Sequence, residues 1–185
     1  MAVASWVAVE SNRDSERARV AGIRQLARAF YPCKVVDLGA GSGYIATRLK
    51  RDGADVVAVD WTSERVTGEA KPFFVQCDAT GYKVNEFDLV VCAGLLYHLD
   101  IDQQLRMAKN WKGKPVILDT HFSRAPDVRI GEYAGQHREP SWSTKIKTPF
   151  VHTVPSLRKL FREHRLIETF TRTTADRQTM LLMPN

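Results

Sequence analysis

Polar stretches carrying apolar residues at helical spacing alternate along this chain with short, continuous apolar runs. Val20, Ile23, Leu26, Ala27 and Phe30 recur at that spacing behind the cap-type residues Ser11 and Asn12, predicting a first helix that reaches Tyr31 and Pro32. β-Branched runs then follow at Lys34–Leu38, Val56–Val59, Phe73–Gln76, Leu89–Cys92 and Val116–Leu118. Runs that are continuously apolar, rather than alternating, suit parallel strands buried on both faces. Helical segments are predicted between them over Tyr44–Asp52, over Ser63–Ala70 with Ser63 as cap, and over Ile101–Trp111. The Asp78–Asp88 connection is too short for a long crossover helix. The alternation predicts an α/β sheet with right-handed crossovers and helices on both faces.

After the fifth strand the rhythm breaks. Thr120 to Val154 shows no clear period and interleaves Gly, Pro, aromatic and basic residues. Its place beyond a strand's carboxyl end suggests a substrate-side insertion or lid. A helix over Pro155–His164, opened by Pro155, and strands over Leu166–Thr171 and Gln178–Met183 close the chain, the two strands forming an antiparallel hairpin. The expected organisation is one domain over residues 1–185, with an N-terminal arm and helix over 1–31 and the insertion over 120–154.

Composition narrows the class. A chain of 185 residues with 44% hydrophobic and 26% charged residues matches a soluble globular domain, not a disordered or collagen-like one. Cys33, Cys77 and Cys92 are scattered and form no CxxC pair, so neither a disulfide framework nor a structural zinc site is indicated. No apolar run is long enough to span a bilayer and the apolar start lacks a basic region, so the expectation is a cytoplasmic protein with no membrane partner. Residues 1–100 carry 12 Lys+Arg against 13 Asp+Glu, whereas residues 101–185 carry 15 against 8. The basic half favours an anionic partner, with a solvated basic surface as the plainer alternative.

The most informative stretch is Asp37-Leu38-Gly39-Ala40-Gly41-Ser42-Gly43-Tyr44, a strand running through a glycine turn into a helix. Glycines let the backbone approach a ligand closely and adopt positive φ. Asp60 ends the next strand, where a carboxylate can accept hydrogen bonds from both hydroxyls of a ribose. A nucleoside-containing cofactor is implied. Tyr44 occupies the third glycine position of the dinucleotide fingerprint, and no GK[ST] follows, so neither a dinucleotide nor a P-loop site fits. Asp37 suits a cationic ligand group; its alternative role is to cap the following helix.

On these residues the chain resembles the class I S-adenosylmethionine-dependent methyltransferases, from about Pro32 to Met183. The resemblance implies a Rossmann-like, mostly parallel seven-stranded sheet of order 3-2-1-4-5-7-6 with an antiparallel seventh strand, and S-adenosyl-L-methionine as cofactor. It implies that Asp37 and the loop residues Gly39, Ala40, Gly41 and Gly43 hold the methionine portion, Asp60 the ribose, and Asp78 with Ala79 the adenine, flanked by Trp61. Cys92 and Leu95, where the fourth strand opens, complete the expected cofactor set.

The fourth strand leads into Ala93-Gly94-Leu95-Leu96-Tyr97-His98-Leu99 at the topological switch of the sheet, where open α/β sheets bind ligands. His98 is the candidate general base and Tyr97 its neighbour for orienting an acceptor; a packed histidine is the plainer reading. DNA amino-methyltransferases carry (N/D)PP(Y/F) here, which Gly94-Leu95-Leu96-Tyr97 does not match. The Leu-Tyr-His segment, with Tyr133, His137, Arg138 and Trp142 as candidate acceptor contacts, is similar to small-molecule methyltransferases and in part to the subgroup that alkylates wobble uridine in tRNA. His98, Asp100 and Asp102 lack a metal-ligand spacing, so no metal is expected. The resulting expectation is methyl transfer to a small polar, anionic acceptor, at O ahead of N or C. The alternatives are an RNA methyltransferase, suggested by the basic half, and a cofactor-binding regulatory partner without transfer activity.

Overall fold

The computed structural model describes residues 3–138, 148–174 and 176–185, with side chains described for residues 16–138, 148–165 and 176–185. Helix α1 (Val3–Arg28) leads into strand β1 (Lys34–Leu38), α2 (Tyr44–Arg51), β2 (Asp55–Asp60) and β3 (Phe74–Gln76). Strand β4 (Leu89–Ala93), α3 (Ile101–Asn110) and β5 (Val116–His121) complete the parallel part. A small meander of β6 (Val128–Ile130), β7 (Tyr133–His137) and β8 (Phe150–His152) precedes α4 (Val154–Leu160), β9 (His164–Thr174) and β10 (Arg177–Pro184). The main sheet runs β3-β2-β1-β4-β5-β10-β9, with β10 antiparallel to both neighbours. This is the expected order, since β9 and β10 are the sixth and seventh strands of that sheet.

Alternate residues of each strand face opposite helical layers. Val35, Val91 and Ile117 pack with Ile23 of α1 and Ile45 and Leu49 of α2. Val36, Val90 and Leu118 pack with Met107 and Trp111, and with Leu157 and Phe161 at the α4 end. Trp111 and Phe161 stack with centroids 5.7 Å apart. Asp37 shares the α1/α2 face with Val35, and this decides its surroundings.

Three expectations change. Helix α1 starts at Val3, running through Ser11 and Asn12, because Val3–Glu10 contains neither glycine nor proline to stop it. Ser63–Ala70 forms turns instead of a helix: Thr67 donates both its N–H (3.1 Å) and its hydroxyl (3.3 Å) to the Ser42 carbonyl, tying the segment to the glycine loop. The aperiodic stretch after β5 contains the three-stranded antiparallel β6-β7-β8 sheet, whose strands are too short to register as a period in sequence.

That small sheet is fixed by a buried polar joint. Gln104 Nε2 donates to the carbonyls of Leu99 (2.9 Å) and Phe150 (2.7 Å), leaving its Oε1 to accept from His152 Nε2 at 2.8 Å. His152 Nδ1 therefore accepts from the Ser156 hydroxyl at 2.7 Å, and Ser156 Oγ accepts the Ala134 N–H at 3.1 Å. One neutral tautomer satisfies every partner, and burial holds this imidazole down to about 4. Among the described residues no helix is long and apolar enough to cross a membrane, and no cluster suits a metal ion.

Candidate active site

The carboxyl ends of β1, β2 and β4 converge on a cleft of about 310 Å³ that joins the glycine loop to the Gly94–His98 segment. The loop is built on backbone alone. Gly39 N–H and Ala40 N–H both donate to the Val59 carbonyl, at 2.8 and 3.0 Å, clamping the turn to β2. Gly43 begins α2 in the left-handed conformation, φ 76°, where an added Cβ would lie 2.3 Å from Ala70 Cβ. At Gly39, also at φ 76°, an added Cβ would meet Leu95 Cβ at 2.7 Å. Glycine is therefore required at both positions for space as well as conformation.

Asp60 lines the cleft at the tip of β2, accepting the Gly41 N–H at 2.8 Å and the Thr62 N–H at 3.3 Å. Trp61, 44% exposed, and Tyr44, 43% exposed, present large aromatic faces to the same opening. An exposed indole beside a carboxylate at a strand tip suits a nucleoside: ring faces for the base, oxygens for the ribose hydroxyls.

Asp37 and Cys92, two further expected cofactor residues, lie behind this surface. Asp37 is buried beneath the loop, accepts the Ala46 N–H of α2, and keeps Oδ2 without a hydrogen-bond partner. Burial pushes its carboxyl up to about 7, opposed by the Ala46 bond and the Arg19 charge, while Asp60 adds repulsion. It lies beneath the first turn of α2, whose N-cap is Gly43, and does not line the cleft. Cys92 is fully buried, its thiol pushed up to about 12 by burial and then by Asp37, which makes it inert as a nucleophile. Asp78 is exposed past β3 and folds back on Thr80, accepting its N–H at 2.8 Å and its hydroxyl at 3.0 Å; Ala79 is buried next to it. Gly39, Ala40, Gly41 and Leu95 line the cleft.

At the acceptor end, Tyr97 and His98 sit on a single 3-10 turn, Leu96–His98. The Tyr97 ring lies 4.3 Å from the His98 ring and 4.6 Å, edge-on, from His121. The guanidinium carbons of Arg138 and Arg177 stand 5.5 and 5.6 Å from the Tyr97 ring centre. Burial, then Arg138, Arg177, His121 and Arg65 in that order, lower His98 to about 4, so its imidazole is neutral at neutral pH. Of the expected acceptor residues, Arg138 joins this cluster. Tyr133 packs edge-on against His152 at 5.7 Å, and His137 packs against Phe150 at 6.0 Å, both as parts of the small sheet. Trp142 lies outside the described residues.

Sequence reading missed Arg19, Asp119, His121 and Arg177. Asp119 ends the parallel part of β5, fully buried, and accepts from Arg177 Nε (2.8 Å), Arg19 Nη1 (3.3 Å) and Thr179 Oγ1 (2.7 Å). An acid followed by Thr-His at a parallel strand's carboxyl end was the available signal.

The cleft fits the cofactor that the sequence resemblance implies: a Cβ-free cradle, a ribose-ready carboxylate and an exposed indole meet in one opening. Residues 36–112 match the family described as "Methyltransferase domain". Among curated proteins no sequence matches. Solved structures supply the fold comparison. A Burkholderia thailandensis 1,6-didemethyltoxoflavin-N1-methyltransferase, solved with 1,6-didemethyltoxoflavin and S-adenosylhomocysteine, is 16% identical, with TM-score 0.69 over 100% of this chain and 91% of that one. The glycopeptide N-methyltransferase MtfA is 17% identical, with TM-score 0.60 over 90% of each chain. A TehB-like methyltransferase from Corynebacterium glutamicum is 16% identical, with TM-score 0.61 over 96% of this chain and 99% of that one. Residues 36–112 are thus similar to the methyltransferase domain family, and the chain as a whole has the fold of these solved methyltransferases.

Proposed function

We propose that the protein methylates a small polar acceptor, at oxygen, that carries negative charge. The observation that carries this reading is the continuity of the cleft: the glycine loop, Asp60 and Trp61 at one end open directly onto Gly94, Tyr97 and His98 at the other. When bound, S-adenosylmethionine supplies an electrophilic methyl on a cationic sulfur. The chain's task is then chiefly to hold a nucleophile in line with it, a positioning effect worth roughly 7 to 11 kcal/mol. The loop, Asp60 and Trp61 hold the nucleoside and fix where the methyl points. Tyr97 would orient the acceptor, and neutral His98 would receive its hydroxyl proton, a contribution of about 10² to 10⁴-fold. The small β6-β7-β8 sheet, carrying Arg138 at its edge, serves as the substrate-side cover.

Calorimetry with S-adenosylhomocysteine, followed by incubation of a cell extract with isotopically labelled methyl donor, tests the reading. The expected outcome is a measurable heat with S-adenosylhomocysteine, none with NAD, and label in an O-methylated small anion. Label in RNA would replace this reading with the RNA one, for which the basic C-terminal half speaks. Label on nitrogen would align the chain with its solved N-methyltransferase neighbours. Cofactor binding with no label anywhere would leave the regulatory-partner reading.

A further inference from the structure

Tyr97 gathers basic side chains from parts of the chain far apart in sequence. Arg138 comes from the end of β7, Arg177 from the start of β10, and His121 from the end of β5, its Nδ1 3.3 Å from Asp176 and its Nε2 3.3 Å from Arg177 Nη1. Arg177 also donates to the Tyr97 hydroxyl, and Asp119 grips it from behind. The carboxylates lining the same cleft are engaged on its cofactor side: Glu16 lies 3.8 Å from Arg19, and Asp60 takes two backbone N–H groups. After burial, Arg138 and Arg177 act most strongly on His98, and both are cations. A base so placed is unprotonated but weak, because a proton arriving on it would be repelled by the surrounding guanidinium groups.

An anion beside Tyr97 removes that conflict. We propose that the acceptor's own oxyanion is received jointly by Arg138 and Arg177 beside Tyr97, and that its negative charge is what enables His98 to take the acceptor's proton. Arg138 and Arg177 are thereby specificity-determining residues, and Asp119 is the positioning residue that holds Arg177 in place. The inference deepens the proposed function and rests on it for the identity of the reaction, but the oxyanion site itself is testable without cofactor. Arg138 offers an oxyanion its planar fork, a geometry lysine lacks, while Arg177, whose Nε and Nη2 grip Asp119, adds its charge and remaining N–H groups.

The test follows the ring-proton NMR signals of His98 and His121 in cofactor-free protein near neutral pH, during addition of sodium sulfate, sodium acetate or sodium chloride at matched ionic strength. Saturable shifts are expected with an oxyanion and not with chloride. A preference for sulfate marks a phosphate-type acceptor group, and one for acetate a carboxylate. Apparent affinity is expected to fall about fivefold or more in both Arg138→Gln and Arg177→Lys. Arg177→Lys keeps a cation beside Asp119, and Arg138 is exposed, so both variants retain the paired core. The same drift in all three salts, or undiminished affinity in either variant, overturns the proposal. A failed S-adenosylhomocysteine titration would count against the proposed function alone, because the oxyanion titration contains no cofactor.

Discussion

Arg177 Nε donates to Asp119 Oδ1 at 2.8 Å, joining two residues separated by 58 positions at the floor of the cleft. Asp119 is fully buried and accepts from Arg19 and Thr179 as well. Removing one member of a buried ion pair leaves an uncompensated charge, at a cost of about 3 to 5 kcal/mol. Asp119→Ala is expected to lose that much stability in urea unfolding. Arg177→Ala in the same background should cost far less than it does alone, and strict additivity in that double-mutant cycle would show that the pair is not coupled.

His152 and Asp37 make opposite contributions to the pH dependence of stability. His152 sits at about 4 when folded against an ordinary value near 6.5, so the unfolded chain binds more protons in that interval. Its contribution is present above pH 6.5 and is lost as pH falls toward 4, amounting to about 3 kcal/mol in all. In His152→Gln the fall in unfolding midpoint across this window should flatten, with lower stability at neutral pH because Gln cannot reproduce both ring bonds.

For Asp37 the sign reverses. Its folded value of about 7 exceeds the ordinary 3.8, so the folded state holds the extra proton, and the contribution present below 3.8 is lost as pH rises through 7. Asp37→Asn, which mimics the protonated carboxyl, should match the wild type under acid conditions and exceed it by about 2 to 4 kcal/mol at mildly alkaline pH. Chemical denaturation across the pH range reads this directly. An unchanged alkaline midpoint would mean that the carboxylate is better solvated or paired than its surroundings indicate.

Gly43→Ala tests the loop. The substitution meets Ala70 Cβ at 2.3 Å and holds a Cβ at φ 76°, so a loss of about 1 to 3 kcal/mol is expected, with weaker S-adenosylhomocysteine binding by calorimetry. Adding Ala70→Gly relieves the contact but not the backbone strain, and should recover part of the stability. Full recovery would show that the positive φ carries no cost here.

Trp61→Ala removes the exposed indole at the cleft mouth without disturbing the core. A loss of about 1 to 3 kcal/mol in S-adenosylhomocysteine affinity is expected by analogy with the stacking of bases on aromatic side chains, at an unchanged unfolding midpoint. Unaltered affinity would place the adenine elsewhere.

Local pattern settled a good deal on its own. Apolar runs marked the strands of the main sheet, and the Asp37–Gly43 turn and Asp60 marked the loop and strand tip that meet in the cleft, because burial in the central strands and close backbone approach leave signatures within a few residues. What tertiary structure decided was which distant side chains meet. Asp37 reads in sequence as a ligand contact, yet the pleat turns it toward α1 and α2 and buries it under the loop. Arg19, Asp119 and Arg177 are unremarkable one by one and become the floor of the cleft only because β10 inserts beside β5 and α1 lies across the same face. The Gln104–His152–Ser156 joint and the small sheet it anchors were hidden for the same reason: periodicity reports a residue's own burial, whereas pairing across 48 positions depends on strand order and register.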